Sequence, residues 1–367
     1  MKKRIVSLFM CLVMLFSVSF GATEATTSTE VSAFNTENLE LFKELIQDLF
    51  YKEVTDQELY EAALKGMFQY LDPYSNYYNE EESSEFDTDV SGNYSGIGIK
   101  FDGYNNYMRV VKVFTASPAN AVGLKAGDYI VEINGEDVGG WTTTKAASYI
   151  RGETGTSVKL TILRGNDIFE VDVNRANIQA ESCTFDILNE DVAYIKIEEF
   201  NLSTSVEVAR YLNAMRVLGY KKLVLDLRDN PGGYVDQAVM VARNFVPGVV
   251  TTLKYKNSNK DTEYMSALKK NPYKMVVLVN EFSASSSEIL AGALKDNGIK
   301  LIGKTTYGKG VFQNVYRLKD GGSIKITTGQ YFTPKGVCID KVGIAPDFVV
   351  EGEEAQLQKA IEEVNKL

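Results

Sequence analysis

The sequence contains no histidine among its 367 residues. This absence excludes a Ser-His-Asp triad and a Cys-His pair, and it also excludes metal sites built on histidine. A hydrolase with this sequence must therefore activate its nucleophile with another side chain. We expect neither a metal ion nor an organic cofactor.

Cysteine is scarce, with three residues in the whole chain. Cys11 falls in the N-terminal apolar stretch, so Cys183 and Cys338 alone remain for the folded part. Two cysteines are too few for a cysteine-rich zinc site. In an oxidising compartment they either form one disulfide or remain free thiols, and their separation in sequence does not decide between these alternatives.

Positive charge is also in deficit, because the chain has 39 basic and 49 acidic residues and therefore a formal net charge of −10. No basic run follows the N-terminal segment to offset this balance. An acidic surface repels phosphate backbones. Nucleic acid is therefore not an expected partner.

The N-terminus has the pattern of a secretory signal peptide, which we assign to residues 1–25. Three basic residues at 2–4 precede an uncharged apolar stretch at 5–20, and small residues follow at 21–25. The alternative is an uncleaved membrane anchor, although the apolar stretch is shorter than the ~20 residues that span a bilayer comfortably. Both readings predict an exported protein, extracellular or in the cell envelope, and the second predicts membrane association.

Residues 26–91 are predicted to form a flexible leader followed by a helical module. Phe42, Leu45, Ile46 and Leu49 have helical spacing, and a second helix is expected at 59–71. Asp72-Pro73 ends that helix, and residues 74–89 are interpreted as a loop or short helical turns. These amphipathic helices, together with a terminal helix expected at 355–364, have no evident partner in the chain, which predicts a homodimer or a larger ring.

Two further regions differ in their patterns. Residues 92–176 contain short β-branched or aromatic runs punctuated by glycine, which indicates a small β-barrel-like domain. Strands are expected at 97–101, 108–114, 129–133, 158–163 and 169–173, with a helix at 142–150.

Residues 177–350 instead alternate strands with helices, as βαβ units of a largely parallel sheet do. A terminal helical segment follows at 351–367. The expected strands are 192–197, 222–227, 275–279, 300–302, 312–317 and 323–332, and the expected helices are 204–218, 234–245, 285–296 and 355–364.

The segment 117–135 resembles the long signature of bacterial PDZ domains, with Val122 where a smaller alanine is usual. The resemblance implies that Gly96, Ile97, Gly98 and Ile99 bind the terminal carboxylate of a substrate. The glycines would free backbone N–H groups for the anion, and the adjacent strand edge would pair with the peptide. Ile97 and Ile99, with Ala146 and Ile150 from the helix, would line an apolar pocket. Arg151 ends that helix and is a candidate relay to the next domain; its alternative role is a solvated helix-end cation.

Two short motifs in the α/β region contain candidate catalytic residues. Ser285 lies in a serine-rich run between a predicted strand and a predicted helix, where free N–H groups and the helix dipole stabilise an oxyanion. Lys309 lies between two glycines among apolar neighbours. To act as a base, its pKa has to fall from about 10.4 to near neutrality, at a cost of about 4 kcal/mol of desolvation.

The chain is identified by resemblance as a member of the carboxy-terminal processing peptidases, serine proteases with a Ser-Lys dyad. The matching segments are 71–75, the PDZ region, 226–233, 283–289, 308–313 and 343–347, in the family's order. The resemblance implies an α/β multidomain fold with an N-terminal helical module, a PDZ domain and a crotonase/ClpP-like protease core. It also implies that Ser285 is the nucleophile, Lys309 the base, and Gln313 the residue that orients the lysine.

The resemblance further implies an oxyanion hole formed by Gly232 or Gly233 together with the N–H of Ser286. Two departures from the family pattern stand out: a serine replaces alanine at 286, and the stretch from Ser285 to Lys309 is one residue shorter. The implied function is endoproteolysis of proteins near accessible C-termini. Two alternatives are a catalytically inactive adaptor that only binds tails, and a crotonase-like enzyme acting on acyl thioesters, which the lack of a CoA-binding feature disfavours.

Overall fold

The computed structural model describes residues 35–367, so the predicted signal peptide and most of the leader lie outside the described residues. The chain divides into two compact units, one ending at Tyr60 and one comprising Glu61–Leu367. In the first unit, α1 (Thr36–Leu49) begins where the side chain of Asn35 accepts a hydrogen bond from Glu37 N at 2.8 Å. None of its residues is buried. The exposed apolar side chains in and beside α1 are Leu39, Leu41, Phe42, Leu45, Ile46, Leu49 and Phe50.

The segment that follows is more regular than its sequence indicated. After α2 (Asp56–Leu71) come β1 (Asn76–Tyr78) and α3 (Glu80–Ser91). The prediction of a loop or short turns at 74–89 is therefore wrong. A reciprocal capping box between Asn79 and Glu82 begins α3, and Gly92 ends it in the left-handed conformation.

Residues 93–179 form the β-rich domain that the sequence predicted. Its elements are β2 (Asn93–Gly96), β3 (Ile99–Tyr104), β4 (Tyr107–Val113), α4 (Pro118–Ala121), β5 (Tyr129–Ile133), β6 (Glu136–Asp137), α5 (Thr143–Ile150), β7 (Ser157–Arg164), β8 (Asp167–Asn174) and β9 (Ala176–Gln179). An antiparallel sheet has the order β3-β4-β5-β7-β8, with β6 beside β5. The entering strand β2 pairs with the leaving strand β9 as a separate ribbon.

The remaining residues form the α/β core. Its elements are β10 (Cys183–Ile187), β11 (Val192–Ile197), α6 (Thr204–Leu218), β12 (Lys222–Asp226), α7 (Val235–Ala242), β13 (Gly248–Tyr255), β14 (Thr262–Ser266), β15 (Lys274–Val279), α8 (Ser286–Asp296), β16 (Lys300–Gly303), β17 (Val311–Arg317), β18 (Ser323–Phe332), β19 (Phe348–Val349) and α9 (Glu353–Asn365). The main sheet has the order β10-β11-β12-β15-β16-β19 and is parallel from β11 onward.

Both faces of this main sheet are buried, as in parallel sheets generally. Successive residues of β15 point to opposite faces: Val276 and Leu278 pack with residues of α9, whereas Val277 packs with the cluster that includes α6, α7 and α8. The expectation that the terminal helix has no partner in the chain is therefore wrong. The carboxyl ends of the parallel strands therefore lie together at one edge, where β15 leads into α8.

A second, antiparallel sheet has the order β1-β18-β13-β14, with β17 also beside β18. Sequence analysis predicted β17 and β18 but missed β1, β13 and β14. The pairing of β1 with β18 carries the preceding 72–75 turn to the sheet that follows Lys309.

Candidate active site

Ser285 lies in the turn between β15 and α8 and is the residue immediately before the helix. Its φ of 56° and ψ of −115° lie outside the regions that L-residues ordinarily occupy. Such a backbone conformation costs on the order of 1–3 kcal/mol and persists only where the surroundings impose it. The turn thus places a serine at the positive end of α8.

The neighbouring hydroxyls of the serine run have other roles. Ser283, Ser286 and Ser287 each donate to a backbone carbonyl oxygen of the segment 227–233, at 2.8–2.9 Å. Within the described residues, Ser285 is the only serine of this run whose hydroxyl donates to no carbonyl. This arrangement singles out Ser285 as the candidate nucleophile despite the serine at 286.

The segment predicted to form the oxyanion hole packs against Ser285. A Cβ atom on Gly232 would lie 2.8 Å from Ser285 Cβ, so only glycine fits there. The N–H of Gly232 donates to Asn230 Oδ1 at 2.9 Å. The N–H groups of Gly233 and Ser286 form no hydrogen bond in the part of the chain that the structure describes. Of the two glycines that sequence analysis left open, Gly233 therefore has the available donor.

Lys309 is half-buried in the loop before β17, and its Nζ lies 4.6 Å from the centroid of the Tyr74 ring. Burial lowers the pKa of Lys309 below its ordinary value, and the positive charge of Lys325 lowers it further. The carboxylates of Asp72 and Glu288 act in the opposite direction. The lysine is thus tuned toward the neutral form that a general base requires.

Gln313 does not contact the lysine in this structure. Its Nε2 donates to Thr327 Oγ1 at 3.1 Å, and the N–H of Thr327 donates to Ser75 Oγ at 3.0 Å. Among residues 35–367, no hydrogen bond joins Lys309 Nζ to Gln313 or to Ser285. For Lys309 to act as the base, its amine has to move from the Tyr74 ring toward the serine hydroxyl.

The carboxylate of Glu288 connects the serine turn with the lysine loop. Its Oε2 accepts from Ser285 N and from Lys309 N, each at 2.9 Å. Its Oε1 accepts from Thr306 Oγ1 at 2.6 Å and from Gly308 N at 2.8 Å. Burial raises the pKa of Glu288, and these hydrogen bonds oppose the rise.

Tyr331 makes a second connection between the same two residues. Its hydroxyl contacts Ser285 O at 3.1 Å and also contacts Lys309 O. The side chain is buried, and burial raises the pKa of the phenol well above its ordinary value. Sequence analysis named none of Glu288, Tyr331 and Tyr74 as a site residue. The Ser-x-x-Glu spacing of a capping box was a signal for Glu288, and Tyr74 lies in the family-like segment 71–75, whereas Tyr331 had no local signal.

A small cavity of about 70 Å³ lies between the ribbon, β3 and α5 of the β-rich domain, where the peptide pocket was expected. It is lined by Tyr94, Ile97, Gly98, Ile99, Phe101, Ala147, Ile150 and Arg151. Gly96 lies outside this lining, in β2, opposite Ala176. The prediction that Ala146 lines the pocket is wrong, since Ala146 is buried in the core. Successive helix residues point about 100° apart, so Ala147 faces the cavity instead.

Arg151 follows α5 and lies over an aromatic ring of the ribbon. Its guanidinium carbon is 5.2 Å from the centroid of the Tyr94 ring. Burial raises the pKa of Tyr94 to about 12, and the charge of Arg151 opposes this rise. The arginine therefore connects the cavity to the strand pair through which the domain joins the core.

The cysteines and acidic groups of the described residues, 35–367, form no metal site or disulfide. Cys183 is buried and Cys338 half-buried, both as free thiols, so the disulfide alternative is not realised. Burial raises the pKa of Cys183. In residues 35–367, no group of three or more Cys, Asp or Glu side chains is arranged to hold a metal ion. No helix in the same range has the length and apolar character to cross a membrane.

Comparison with known families assigns each of the three regions. The profile of peptidase family S41 matches residues 191–350, and that of the PDZ domain matches residues 95–174. The profile of the N-terminal domain of the activating protease CtpB matches residues 17–82. The α/β core with its candidate serine, joined to a peptide-binding barrel, thus defines a PDZ-containing serine peptidase.

Full-length relatives agree with this class. The chain is 34% identical over 313 residues to the carboxy-terminal processing protease CtpA of Bacillus subtilis (strain 168), covering 84% of this chain and 67% of the relative. It is 36% identical over 324 residues to a probable CtpA-like serine protease of Staphylococcus aureus (strain bovine RF122 / ET3-1), covering 86% and 65%. The chain belongs to peptidase family S41, among its carboxy-terminal processing proteases.

Solved structures support the same fold. The photosystem II D1 C-terminal processing protease superposes with a TM-score of 0.51 at 26% identity, covering 88% of this chain and 90% of that one. The predicted class, a multidomain α/β serine peptidase with a PDZ domain, is therefore confirmed. The match to the Bacillus and Staphylococcus relatives spans about two thirds of their length.

Proposed function

We propose that this chain is an exported serine endopeptidase that cuts protein substrates near their C-termini with a Ser285–Lys309 dyad. One observation carries the proposal: a strained serine at a helix start and a lysine of lowered pKa are bound through their backbones to the same oxygen of Glu288. The shared carboxylate holds the backbones of a candidate nucleophile and a candidate base together, and movement of the Lys309 amine from the Tyr74 ring to the Ser285 hydroxyl completes the pair.

The reaction follows from these groups. Neutral Lys309 accepts the proton of the Ser285 hydroxyl as Oγ attacks the peptide carbonyl. The N–H groups of Gly233 and Ser286, at the positive end of α8, stabilise the tetrahedral oxyanion. Lys309 then protonates the leaving amine, and water hydrolyses the acyl-enzyme. Gln313 orients the lysine once its amide leaves Thr327.

The PDZ domain selects substrates by binding their C-terminal residues. A peptide that adds to the strand edge beside the cavity would place its last side chain against Ile97 and Ile99, and its carboxylate at the N–H groups near Gly98. Because Arg151 and Tyr94 also line the cavity, an occupying side chain would disturb their contact. We propose this contact as the relay from the PDZ domain to the protease core.

Cleavage of an unstructured protein by wild type and by Ser285→Ala tests the proposal. We expect wild type to cleave near the C-terminus and Ser285→Ala to be inactive. A substrate with an amidated C-terminus should be cleaved more slowly, because it lacks the carboxylate. Equal cleavage by both enzymes would remove the protease assignment, and tail binding without any cleavage would support the adaptor alternative.

The location and assembly of the protein are part of the same proposal. The signal-like N-terminus supports export, with membrane association if the apolar segment is retained. The exposed apolar side chains of α1 support a homodimer. Gel filtration of the protein at micromolar concentration should show a dimer or larger species, and a monomer would contradict this part.

A further inference from the structure

We propose that Glu288 and Tyr331 are positioning residues that hold the nucleophile and the base together through their backbones. The inference rests on the proposed Ser285–Lys309 dyad. Ser285 precedes α8, whereas Lys309 belongs to the loop before β17, so chain connectivity alone does not fix one relative to the other.

The hydrogen bonds of Glu288 favour its ionised form. Thr306 Oγ1 accepts a hydrogen bond from Ile344 N at 2.7 Å and donates to Glu288 Oε1. The other partners of the carboxylate are the N–H groups of Ser285, Gly308 and Lys309, which can only donate. Four donors thus converge on two oxygens, and a carboxylate is the side chain that accepts all of them.

Tyr331 completes the connection from the carbonyl side. Its hydroxyl lies between the carbonyl oxygens of Ser285 and Lys309. The N–H groups of the same two residues meet at Glu288 Oε2. One carboxylate oxygen therefore holds the N–H groups of the nucleophile and the base, and the Tyr331 hydroxyl contacts the carbonyl oxygen of each. We call this pair of connections the backbone clamp.

The clamp has an electrostatic consequence that packing alone would not have. Glu288 is a negative charge that helps Lys309 to retain its proton, so its removal should lower the pKa of the lysine further. The other titratable groups near Lys309 remain in place in a Glu288 variant. The groups facing the lysine or its loop are Asp72, Tyr74, Glu288, Lys325, Tyr331 and Asp340.

Kinetics of Glu288→Gln and Tyr331→Phe test the clamp. A glutamine presents an NH2 group to N–H donors that need an acceptor, and phenylalanine keeps the ring while removing the hydroxyl. We expect each variant to lose about tenfold in kcat with KM within about twofold, as for loss of a hydrogen bond that matters in the transition state. The acid limb of kcat/KM should move to lower pH in Glu288→Gln and stay in place in Tyr331→Phe.

Glu281→Gln is the matched control, because Glu281 is an exposed carboxylate paired with Lys304 outside the site; it should leave kcat and the pH profile unchanged. Hydrogen exchange gives a readout independent of activity: the amides of Ser285 and Lys309 should exchange faster in Glu288→Gln than in Glu281→Gln.

The protease activity is established first, by cleavage that is present in wild type and absent in Ser285→Ala. Failure of the clamp is therefore distinguishable from failure of the proposed function. Unchanged kcat in both variants would overturn the clamp. A loss in Glu288→Gln that comes with an unmoved acid limb and unchanged amide exchange would also overturn it. If Glu288→Gln fails to fold, Tyr331→Phe decides: wild-type kcat in that variant would refute the proposal.

Discussion

Ser285 holds a backbone conformation that residues with a side chain rarely adopt, and its surroundings maintain it. The N–H and C=O groups of this residue bond to Glu288 and Tyr331, and Gly232 packs against its Cβ. Strain of this kind is typical of functional sites, where it directs a reactive atom into the open. The protein therefore gives up some stability to present this hydroxyl.

This strain predicts the relative stability of two substitutions at position 285. Both Ser285→Gly and Ser285→Ala remove the hydroxyl, but glycine adopts the observed φ and ψ without steric cost. We expect Ser285→Gly to unfold at a higher temperature than Ser285→Ala, by an amount equivalent to roughly 1–3 kcal/mol. Thermal unfolding followed by circular dichroism measures the difference. An equal or lower melting temperature for glycine would show that the turn is unstrained.

We expect removal of the Lys309 amine to increase the free energy of unfolding by an amount that depends on pH. Its folded-state pKa is lowered, so the unfolded chain binds the proton more tightly and the charged lysine disfavours folding. This penalty is fully present below the lowered pKa and disappears as the pH rises to the ordinary value of 10.5. Lys309→Met should thus be more stable than wild type at pH 7, with a gain that shrinks toward pH 10.5.

Denaturant unfolding at several pH values measures this gain. The exposed Lys256 offers the matched control Lys256→Met, which should change stability little at any pH. A gain for Lys309→Met that does not vary with pH would contradict the desolvation account.

Residue types and spacing predicted the candidate pair Ser285 and Lys309 but not the groups that bond to their backbones. Ser285 and Lys309 stand out because their neighbours are a serine run and flanking glycines. Tyr331 is an ordinary aromatic residue in the sequence, and Tyr74 stands out only as part of the segment 71–75. Both reach the site when β18 and the 72–75 turn pack onto the core. Contacts between distant segments leave no local pattern, so such residues are found only in the folded chain.

At the scale of elements, α3 shows how terminal residues define a helix that lacks a strong apolar pattern. Its low hydrophobicity led to the loop prediction, yet the capping box at Asn79 and Glu82 was present in the sequence. Gly92 ends the helix with φ of 69°, and a Cβ there would lie 2.6 Å from Asn201 Nδ2. This end of α3 leads directly into the PDZ domain.

A pair of glycine substitutions tests the role of Gly92 as the left-handed residue that ends α3. Gly92→Ala should destabilise the protein by at least about 1–2 kcal/mol, the cost of a left-handed alanine, with the contact to Asn201 added. Gly66→Ala is the control in α2, where nothing lies within 4 Å of the new Cβ, and it should stabilise by about 0.5–1 kcal/mol. Denaturant midpoints measure both, and equal effects of the same sign would contradict the assignment.

At the scale of the whole molecule, the alternation of strands and helices predicted the main parallel sheet within a few residues. It did not predict the antiparallel sheet, because β13 and β14 carry exposed and mixed residues without strict alternation. That second sheet matters for function, since β18 brings β1, β13 and β17 together and so joins the segment 72–78 to the lysine loop. The order of elements along the chain thus predicts pairing between strands that are close in sequence better than pairing between distant strands.

The central claim is that a neutral Lys309 activates Ser285, and covalent labelling by a fluorophosphonate measures this most directly. We expect mass mapping to find one labelled residue, Ser285, with a labelling rate that rises with pH to a midpoint below 10.5. Lys309→Ala should suppress the labelling. Labelling of a different serine, or an unchanged rate in Lys309→Ala, would contradict the account.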